Sequence, residues 1–520
     1  MASLVGLFLV SVPLLVLVFG FYSRTEKSLP PGPRALPVIG NLHQIPLTKP
    51  WLKFASWSHV YGSVTGLRLG TKPALVLNDW TAVSDLLDKK GSIYSSRLHM
   101  PIVQRVAGDH HTAFQAYGAK WRRSRKTISD YLKDTELDKQ AAIQEAEATQ
   151  LVWDLLQQKE QYRDAVLRYF GAIILASVYG IRGQWYEGGY LKRFFDMEET
   201  WAALFDKGQT PPLEVLPWLE YVPEWMTPWR GWRSKTDNIQ KLQSTIYQDL
   251  LENTKKRLAS GMGEDCFLAR LLKRQVLDGY SDEELMGLAG VMLEGGAETS
   301  ATTLLIFLLA IAAHPEFQKK AQEEIDAVFG KDQLPNGVAD GNALPFLRAC
   351  YLESIRWRPI APTAVPHFTT QDDMYKGYFI PAGTIVIMNT WGLHHDTEQY
   401  EDPEAFNPMR FVESKFGVKD SKIPQDDIRR ATYAFGAGRR VCPGQKMAED
   451  SLLSSISKLL WSFDIVPQGR LDTDIRTAFK DSLVCGPKDF ALQFRVRSER
   501  RKNLIQDAWL EANSFLERFE

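Results

Sequence analysis

The chain is poor in cysteine. It has four among 520 residues, Cys266, Cys350, Cys442 and Cys485, and none forms a C-x-x-C pair. That excludes a disulfide framework and a cysteine zinc site, and it fits a reducing compartment. The chain also lacks net charge: 62 Lys and Arg against 63 Asp and Glu leave −1, which excludes a global attraction to nucleic acid. No internal repeat, low-complexity block or flexible linker interrupts the body. One large catalytic domain is therefore expected, although the length allows more. The first 23 residues lack any charged side chain.

That last absence predicts a membrane anchor over residues 1–23. Leu4 to Tyr22 is apolar apart from Ser11, and at 1.5 Å per residue such a run just crosses a bilayer of about 30 Å. A cleaved signal peptide would want a basic start, a shorter apolar stretch and a small-residue cleavage site. Here the basic residues Arg24, Lys27 and Arg34 follow the run. Positive charge stays on the cytosolic side, so a single-pass endoplasmic reticulum protein with its catalytic domain in the cytosol is expected. Residues 24–34 read as a basic, proline-rich hinge, with Leu29-Pro30-Pro31-Gly32-Pro33 as a stiff spacer. The catalytic domain is expected over 35–500. Residues 501–520 form a tail with a helical stripe of Ile505, Ala508, Trp509, Ala512, Leu516 and Phe519; it could pack on the body or lie on a membrane or partner.

The body is rich in Trp (15) and Pro (27), which points to an aromatic interior and many fixed turns. Strand-like runs occur at Val64–Leu69, Ala74–Leu77, Tyr378–Ile380 and Ile385–Asn389, while most of Trp121 to Phe329 reads as helix. Ser281 and Glu284 have capping-box spacing, and His314-Pro315 stops the helix they begin. That helix is over thirty residues and about 50 Å long. It is apolar on nearly every side from Leu285 to Ala313, so it should run through the core. Glu294 and Glu298 argue against a second membrane span. Between Pro217 and Trp232, the residues Trp218, Tyr221, Trp225, Trp229 and Trp232 suit either helix packing or a lip at a bilayer interface.

The strongest chemical signal is Phe435-Gly436-Ala437-Gly438-Arg439-Arg440-Val441-Cys442-Pro443-Gly444. Glycines permit tight turns and close backbone approach to a flat ligand. Backbone N–H groups in such a loop can stabilise thiolate charge, and a thiolate is what iron binds. The bland alternative is a buried Cys in an ordinary turn. The remaining motifs weigh against it, because Phe435, Gly438, Arg440, Cys442 and Gly444 match every fixed position of the F-x-x-G-x-R-x-C-x-G haem loop, and the chain resembles the cytochrome P-450 family over roughly residues 29 to 490.

The resemblance implies a mainly α triangular-prism fold with a small β-rich side. It also implies haem b (iron protoporphyrin IX) with Cys442 as axial ligand of the iron. Glu353 and Arg356 fit the family's E-x-x-R helix. Pro408-Met409-Arg410-Phe411 resembles its P-E-R-F segment, so Arg410 would complete a buried triad; Met409 departs from the usual Glu but is not a triad member. Gly295-Gly296-Ala297-Glu298-Thr299-Ser300 resembles the oxygen-activation stretch. A Thr299 hydroxyl bond to the Gly295 carbonyl would open the helix locally, Thr299 would assist oxygen activation, and Glu298 would relay protons. Trp121, Arg125, His367 and Arg440 match positions that hold the haem propionates, where two buried carboxylates need donors.

The implied activity is a haem-thiolate monooxygenase acting with O2 and NADPH-derived electrons. No flavin domain follows the haem loop, so electrons would come from a separate NADPH–cytochrome P-450 reductase, with cytochrome b5 as a further donor. Arg122, Arg123, Lys126, Arg439 and Lys446 are the candidate docking patch. Candidate pocket segments are His99–Val103, Trp201–Phe205, Val291–Thr299, Pro362–Val365 and Phe479–Leu483. Their mainly apolar character implies a lipophilic small-molecule substrate entering from the membrane. The chain is similar in character to fungal members of the sterigmatocystin type that tailor secondary metabolites. A detoxifying hydroxylase of fatty acids or xenobiotics, an O2-independent isomerase or dehydratase, and a haem sensor are the alternatives. The intact Glu298-Thr299 pair argues against the last two.

Overall fold

Helices carry most of the chain in a computed structural model that describes residues 29–157, 161–206, 208–262, 265–340, 343–419 and 429–520. The expected anchor at 1–23 and the start of the hinge lie outside the described residues. The helices that matter for the site are α1 (Pro50–Tyr61), α2 (Ala119–Tyr131), α3 (Asp134–Gln157), α4 (Tyr162–Ile174), α5 (Tyr190–Ala203), α6 (Trp232–Ala259), α7 (Asp282–Ala313), α8 (Pro345–Trp357), α9 (Gln445–Ser462) and α10 (Glu499–Leu516).

The chemistry at each end of α7 explains its length. Ser281 Oγ accepts from Glu284 N at 3.2 Å, and Glu284 Oε2 accepts from Ser281 N at 3.1 Å. Asp282, Glu283 and Glu284 complement the positive end of the helix. At the other end Pro315 disfavours helical geometry at His314, whose φ and ψ are −129° and 74°. Helix α7 is long and apolar enough to cross a membrane, but its most apolar stretch is 78% buried inside the protein. It is a core helix, packed against α4 and flanked by α8 and α9.

The β-rich side is small. Strands β1 (Val64–Leu69), β2 (Lys72–Leu77), β3 (His367–Phe368), β4 (Asp373–Tyr375), β5 (Tyr378–Ile380), β6 (Ile385–Met388), β7 (Phe463–Pro467) and β8 (Leu492–Val496) form three sheets, the largest in the order β1-β2-β6-β3. β2 pairs parallel to β6 with Ala74 opposite Ile385, and β3 pairs antiparallel to β6 with His367 opposite Val386. Ala74 to Leu77 are fully buried, as a strand covered on both faces requires. Lys376 and Gly377, at φ 49° and 83°, turn β4 into β5, a conformation that fits the twist of a tight hairpin.

One expectation changes and one open choice is settled. Residues 29–34 are not a free spacer: Leu29 and Pro30 are buried, and Gly66 N donates to Pro31 O at 2.9 Å. A Cβ on Gly32 would collide with the Gly66 carbonyl, so two glycines let this segment lie directly on β1. The tail packs on the body. α10 lies along α3, Trp509 stacks on Trp153 at 4.5 Å, and Trp509 Nε1 donates to Gln150 Oε1 at 3.0 Å. Arg182 binds Asn513 and Glu520, and Arg257 binds the main chain of Arg518 and Glu520. The aromatic segment divides between its two readings. Trp232 is buried, whereas Trp218, Tyr221 and Trp225 are 53%, 86% and 73% exposed.

Candidate active site

The frame of the site is a buried ion network. Glu353 and Arg356 stand three apart on α8 and so share one face. Arg356 Nε and Nη2 donate to Glu353 at 2.6 and 2.8 Å. Arg410 Nε donates to Glu353 Oε1 at 3.1 Å, as does Asn407 N at 2.8 Å. The remaining donors of the two arginines go to carbonyls of His394, Glu401, Asp402, Pro403 and Ala405. With both Glu353 oxygens engaged and the arginines' other donors held by carbonyls, a buried network of this kind is tolerated.

The loop carrying Cys442 is closed by Cys442 N donating to Phe435 O at 2.8 Å and tied to α2 by Arg125 Nη2 on Val441 O. Asp88 Oδ1 accepts from Gly438 N at 2.6 Å and from Arg430 at 2.7 Å. Gly438 has φ +61°, and a Cβ there would strike the Leu87 carbonyl, so only glycine fits. Cys442 is open to solvent, yet enough protein surrounds it that burial pushes its thiol pKa upward. Together these describe a sulfur on the floor of a cavity. The Gly444 N–H and the Arg125 guanidinium act in the opposite direction, favouring the thiolate, and α9 begins three residues on, with its positive end near the sulfur.

Three cations gather beside this floor. Arg440 lies over the Trp121 ring at 4.1 Å. Its donors reach the carbonyls of Ser95, Thr112 and Gln115. Arg97 donates to the carbonyls of Ala113, Val365 and Pro366. The hydrogen bonds of Arg97, Arg125 and Arg440 go to backbone carbonyls, and among the described residues no carboxylate pairs with them. Burial holds Arg97 down to about 9, while burial together with Arg97 and Arg125 holds Arg440 down to about 8. Guanidiniums withdrawn from water without an acidic partner, as in buried Arg97 and half-buried Arg125 and Arg440, call for anions. The open sulfur and this donor set therefore fit a flat iron cofactor carrying two carboxylates. His367 is buried, its Nδ1 bonded to Tyr94 O at 2.8 Å, and burial with Arg97 and Arg440 nearby keeps it neutral. With Nδ1–H donating, its Nε2 offers a lone pair, so it could donate to a carboxylate there only after gaining a proton.

The second half of the site is a stripe on α7. In the middle of this helix Val291, Gly295, Gly296, Glu298 and Thr299 remain at least partly open among buried neighbours, and a Cβ on Gly295 would meet nothing within 4 Å. Thr299 Oγ1 donates to Gly295 O at 2.6 Å. The helix is assigned without a break from Asp282 to Ala313, so the expected local opening does not interrupt it. Burial raises the Glu298 carboxyl pKa, Lys480 lowers it, and Glu199 and Glu294 raise it further. Segment 111–115 joins the two halves. Arg97 and Arg440 hold its carbonyls, while His111 Nε2 meets Glu294 Oε2 at 2.7 Å. Of the candidate pocket segments, Trp201 and Phe205 pack edge to face at 4.9 Å, with Phe205 stacked on Phe114 at 5.9 Å. Phe479 belongs to the core with Trp357 and Trp391. A separate cleft of about 630 Å³ opens behind the Cys442 loop, lined by Arg348, Phe435, Gly436, Val441 and Glu449 and by no residue of α7.

Comparison with known proteins agrees with this geometry. The Cytochrome P450 family profile matches residues 30–494. The chain belongs to the cytochrome P450 family. Among its relatives are the cytochrome P450 monooxygenases patI and patH of Penicillium expansum, each 34% identical, over 95% of this chain and 93% of the relative, and over 98% and 97% respectively. Another is atE of Aspergillus terreus, 33% identical over 96% and 93%. This cytochrome P450 is thus a monooxygenase, an oxidoreductase of haem–thiolate iron that needs a redox partner. The family motifs omit two residues. Arg97 has no local pattern to mark it and is found only because the fold carries it next to Arg440. Glu198, one turn before Trp201 on α5, lies in no family motif but is buried.

Proposed function

We propose that this cytochrome P450 holds haem b through Cys442 and inserts one oxygen atom of O2 into a lipophilic small molecule, as a tailoring step of fungal secondary metabolism. The convergence of an accessible sulfur at the start of α9 with buried Arg97 and half-buried Arg125 and Arg440, none paired with a carboxylate among the described residues, carries the reading of the site. The relatives' fungal sources support the metabolic setting.

Bound haem supplies oxygen activation, helped by electron density from its thiolate ligand. The chain's residues do the rest. Trp121, Arg125, Arg440 and Arg97 anchor the cofactor's acidic edge, with His367 alongside. Phe435, Gly438 and Gly444 shape the loop beneath it, and Glu353, Arg356 and Arg410 brace that loop from behind. Thr299 holds a hydrogen bond at the oxygen side and Glu298 passes it protons. Trp201, Phe205 and Phe114 exclude water and orient an apolar substrate.

Residues 1–23 serve as a retained anchor in the endoplasmic reticulum membrane, and residues 35–500 form the cytosolic catalytic domain. Trp218, Tyr221 and Trp225 rest in the lipid interface. Electrons come from NADPH through a separate reductase, with cytochrome b5 as a second donor. The deciding experiment is the reduced carbon-monoxide difference spectrum. The wild-type protein should give the thiolate-type long-wavelength band and Cys442→Ala should lose it; a band that survives the substitution overturns the assignment.

A further inference from the structure

Glu294 lies one turn before Glu298 on α7, apart from the cofactor donors and the Glu298–Thr299 pair. It is buried, yet both its oxygens are engaged by side chains from other elements. Gln243 Nε2 donates to Oε1 at 2.9 Å, the Tyr247 hydroxyl donates to the same oxygen, and His111 Nε2 meets Oε2 at 2.7 Å. Gln243 and Tyr247 stand four apart on α6 and so share one face. One carboxylate therefore ties both α6 and the segment at His111 to α7.

The α7 side of this seam is smooth. Gly287, Gly290 and Glu294, spaced three and four apart, lie along one face of the helix. A Cβ on Gly287 would strike His110, and one on Gly290 would strike the Tyr247 ring. At those two positions bare backbone meets its neighbours, with no α7 side chain to interlock. A second tie, Arg105 to Asp237 at 2.8 and 2.9 Å, joins α6 to the helix Pro101–Ala107 but is exposed and so contributes little. The seam also carries a cost. His110 Nδ1, His111 Nδ1, Thr112 Oγ1 and Gln115 Oε1 are buried with no hydrogen-bond partner among the described residues, and unmade bonds of this kind disfavour the closed arrangement. The charge-assisted bonds to Glu294 act against that cost.

The tie reaches the pocket wall. The His111 ring packs on Phe114 at 4.7 Å, Phe114 stacks on Phe205 at 5.9 Å, and Phe205 meets Trp201 edge to face at 4.9 Å. Arg97 and Arg440 hold the carbonyls of Thr112, Ala113 and Gln115, so the part left to move is α6. We infer that Glu294 is a positioning residue that keeps α6 and the aromatic wall seated on α7, and that its grip sets how fast a bulky molecule enters and leaves the site. The inference rests on the proposed role of Trp201, Phe205 and Phe114 in orienting substrate.

The test follows iron-binding imidazoles on the haem-loaded full chain by stopped-flow absorbance. Glu294→Gln keeps the shape of the side chain and removes its charge. For an N-trityl imidazole it should speed association and dissociation alike by about tenfold, the scale of one charge-assisted hydrogen bond, and leave the dissociation constant within about threefold of wild type. Imidazole itself, small enough to pass without α6 moving, should keep its wild-type rates. Tyr247→Phe removes a single hydroxyl, leaves the ring in place, and should give the same pattern at about threefold. Asp237→Ala, which cuts the exposed tie, should leave both ligands' rates unchanged. Amides of residues 243–247 should exchange faster in Glu294→Gln than in wild type, with or without haem. Trityl-imidazole rates unchanged in both Glu294→Gln and Tyr247→Phe, an equal acceleration for imidazole or by Asp237→Ala, or unchanged amide exchange overturns the inference. A wild-type protein without the carbon-monoxide band would instead overturn the reading of Cys442 and would leave the exchange result standing.

Discussion

Single residues decide whether the site exists. Glu353 has no exposure and accepts from two arginines and one main-chain amide, so removing its charge strands two guanidiniums in the interior. Glu353→Gln or Arg356→Ala should lower unfolding stability by about 3–5 kcal/mol, read from urea midpoints, and should reduce cofactor retention as well. Gly438→Ala forces a side chain into positive φ and into the Leu87 carbonyl; the expected product folds poorly around the loop and purifies with little haem, measured as haem per polypeptide. Histidine sets the acid limit. His394 Nε2 accepts from Tyr433 N at 3.1 Å, and burial, with Arg356 and Arg429 nearby, holds its pKa down to about 3 from 6.5. The unfolded chain therefore binds the proton first. The stabilisation is complete above about pH 6.5 and falls as pH drops toward 3, by up to about 1.4 kcal/mol per unit. Unfolding midpoints from pH 7.5 to 4.5 should show that slope, and a flat profile would contradict it.

At the scale of elements, legibility tracks how local the information is. α7 could be read because its cap, its stop and its apolar run lie within one stretch. The Cys442 loop and the Glu353–Arg356 pair were legible for the same reason: their partners sit a few residues apart. The fate of the tail was not, because the stripe on α10 is equally suited to any apolar face, and only the fold puts α3 and Trp153 beside it. Arg97 and Glu198 were hidden by the same limit, since burial of a charged side chain is a property of neighbours distant in sequence. The packed tail makes a stability prediction. A chain ending at Arg497 uncovers the surfaces against which Ile505 and Leu516 are fully buried, and it should unfold at lower denaturant and bind a hydrophobic dye. Trp509→Ala alone should cost about 1 kcal/mol, the scale of one aromatic pair.

Over the whole molecule, near-zero net charge conceals a sorted surface. Arg122, Arg123, Lys126, Arg439 and Lys446 are all exposed around the Cys442 loop, and the cleft behind that loop adds Arg348, Lys415, Arg429 and Arg430. Some of these cations are already engaged: Arg123 reaches the Asp278 carbonyl and Lys446 pairs with Asp450. Arg122 and Lys126 are the better probes. Reversing both to Glu should slow reduction by an acidic electron donor several-fold at low salt and flatten the salt dependence; stopped-flow reduction at two ionic strengths would show it, and an unchanged rate would remove this face as the docking surface.

The grip of Arg182 and Arg257 on residues 518–520 also fixes an order of events during synthesis. The groove along α3 can close only after α10, which follows it in the chain, has been made, and until then Trp153 in that groove is open to a chaperone. Nascent chains stalled before residue 499 should therefore associate with chaperone more strongly than the folded protein, and equal association would show that the groove closes without its helix.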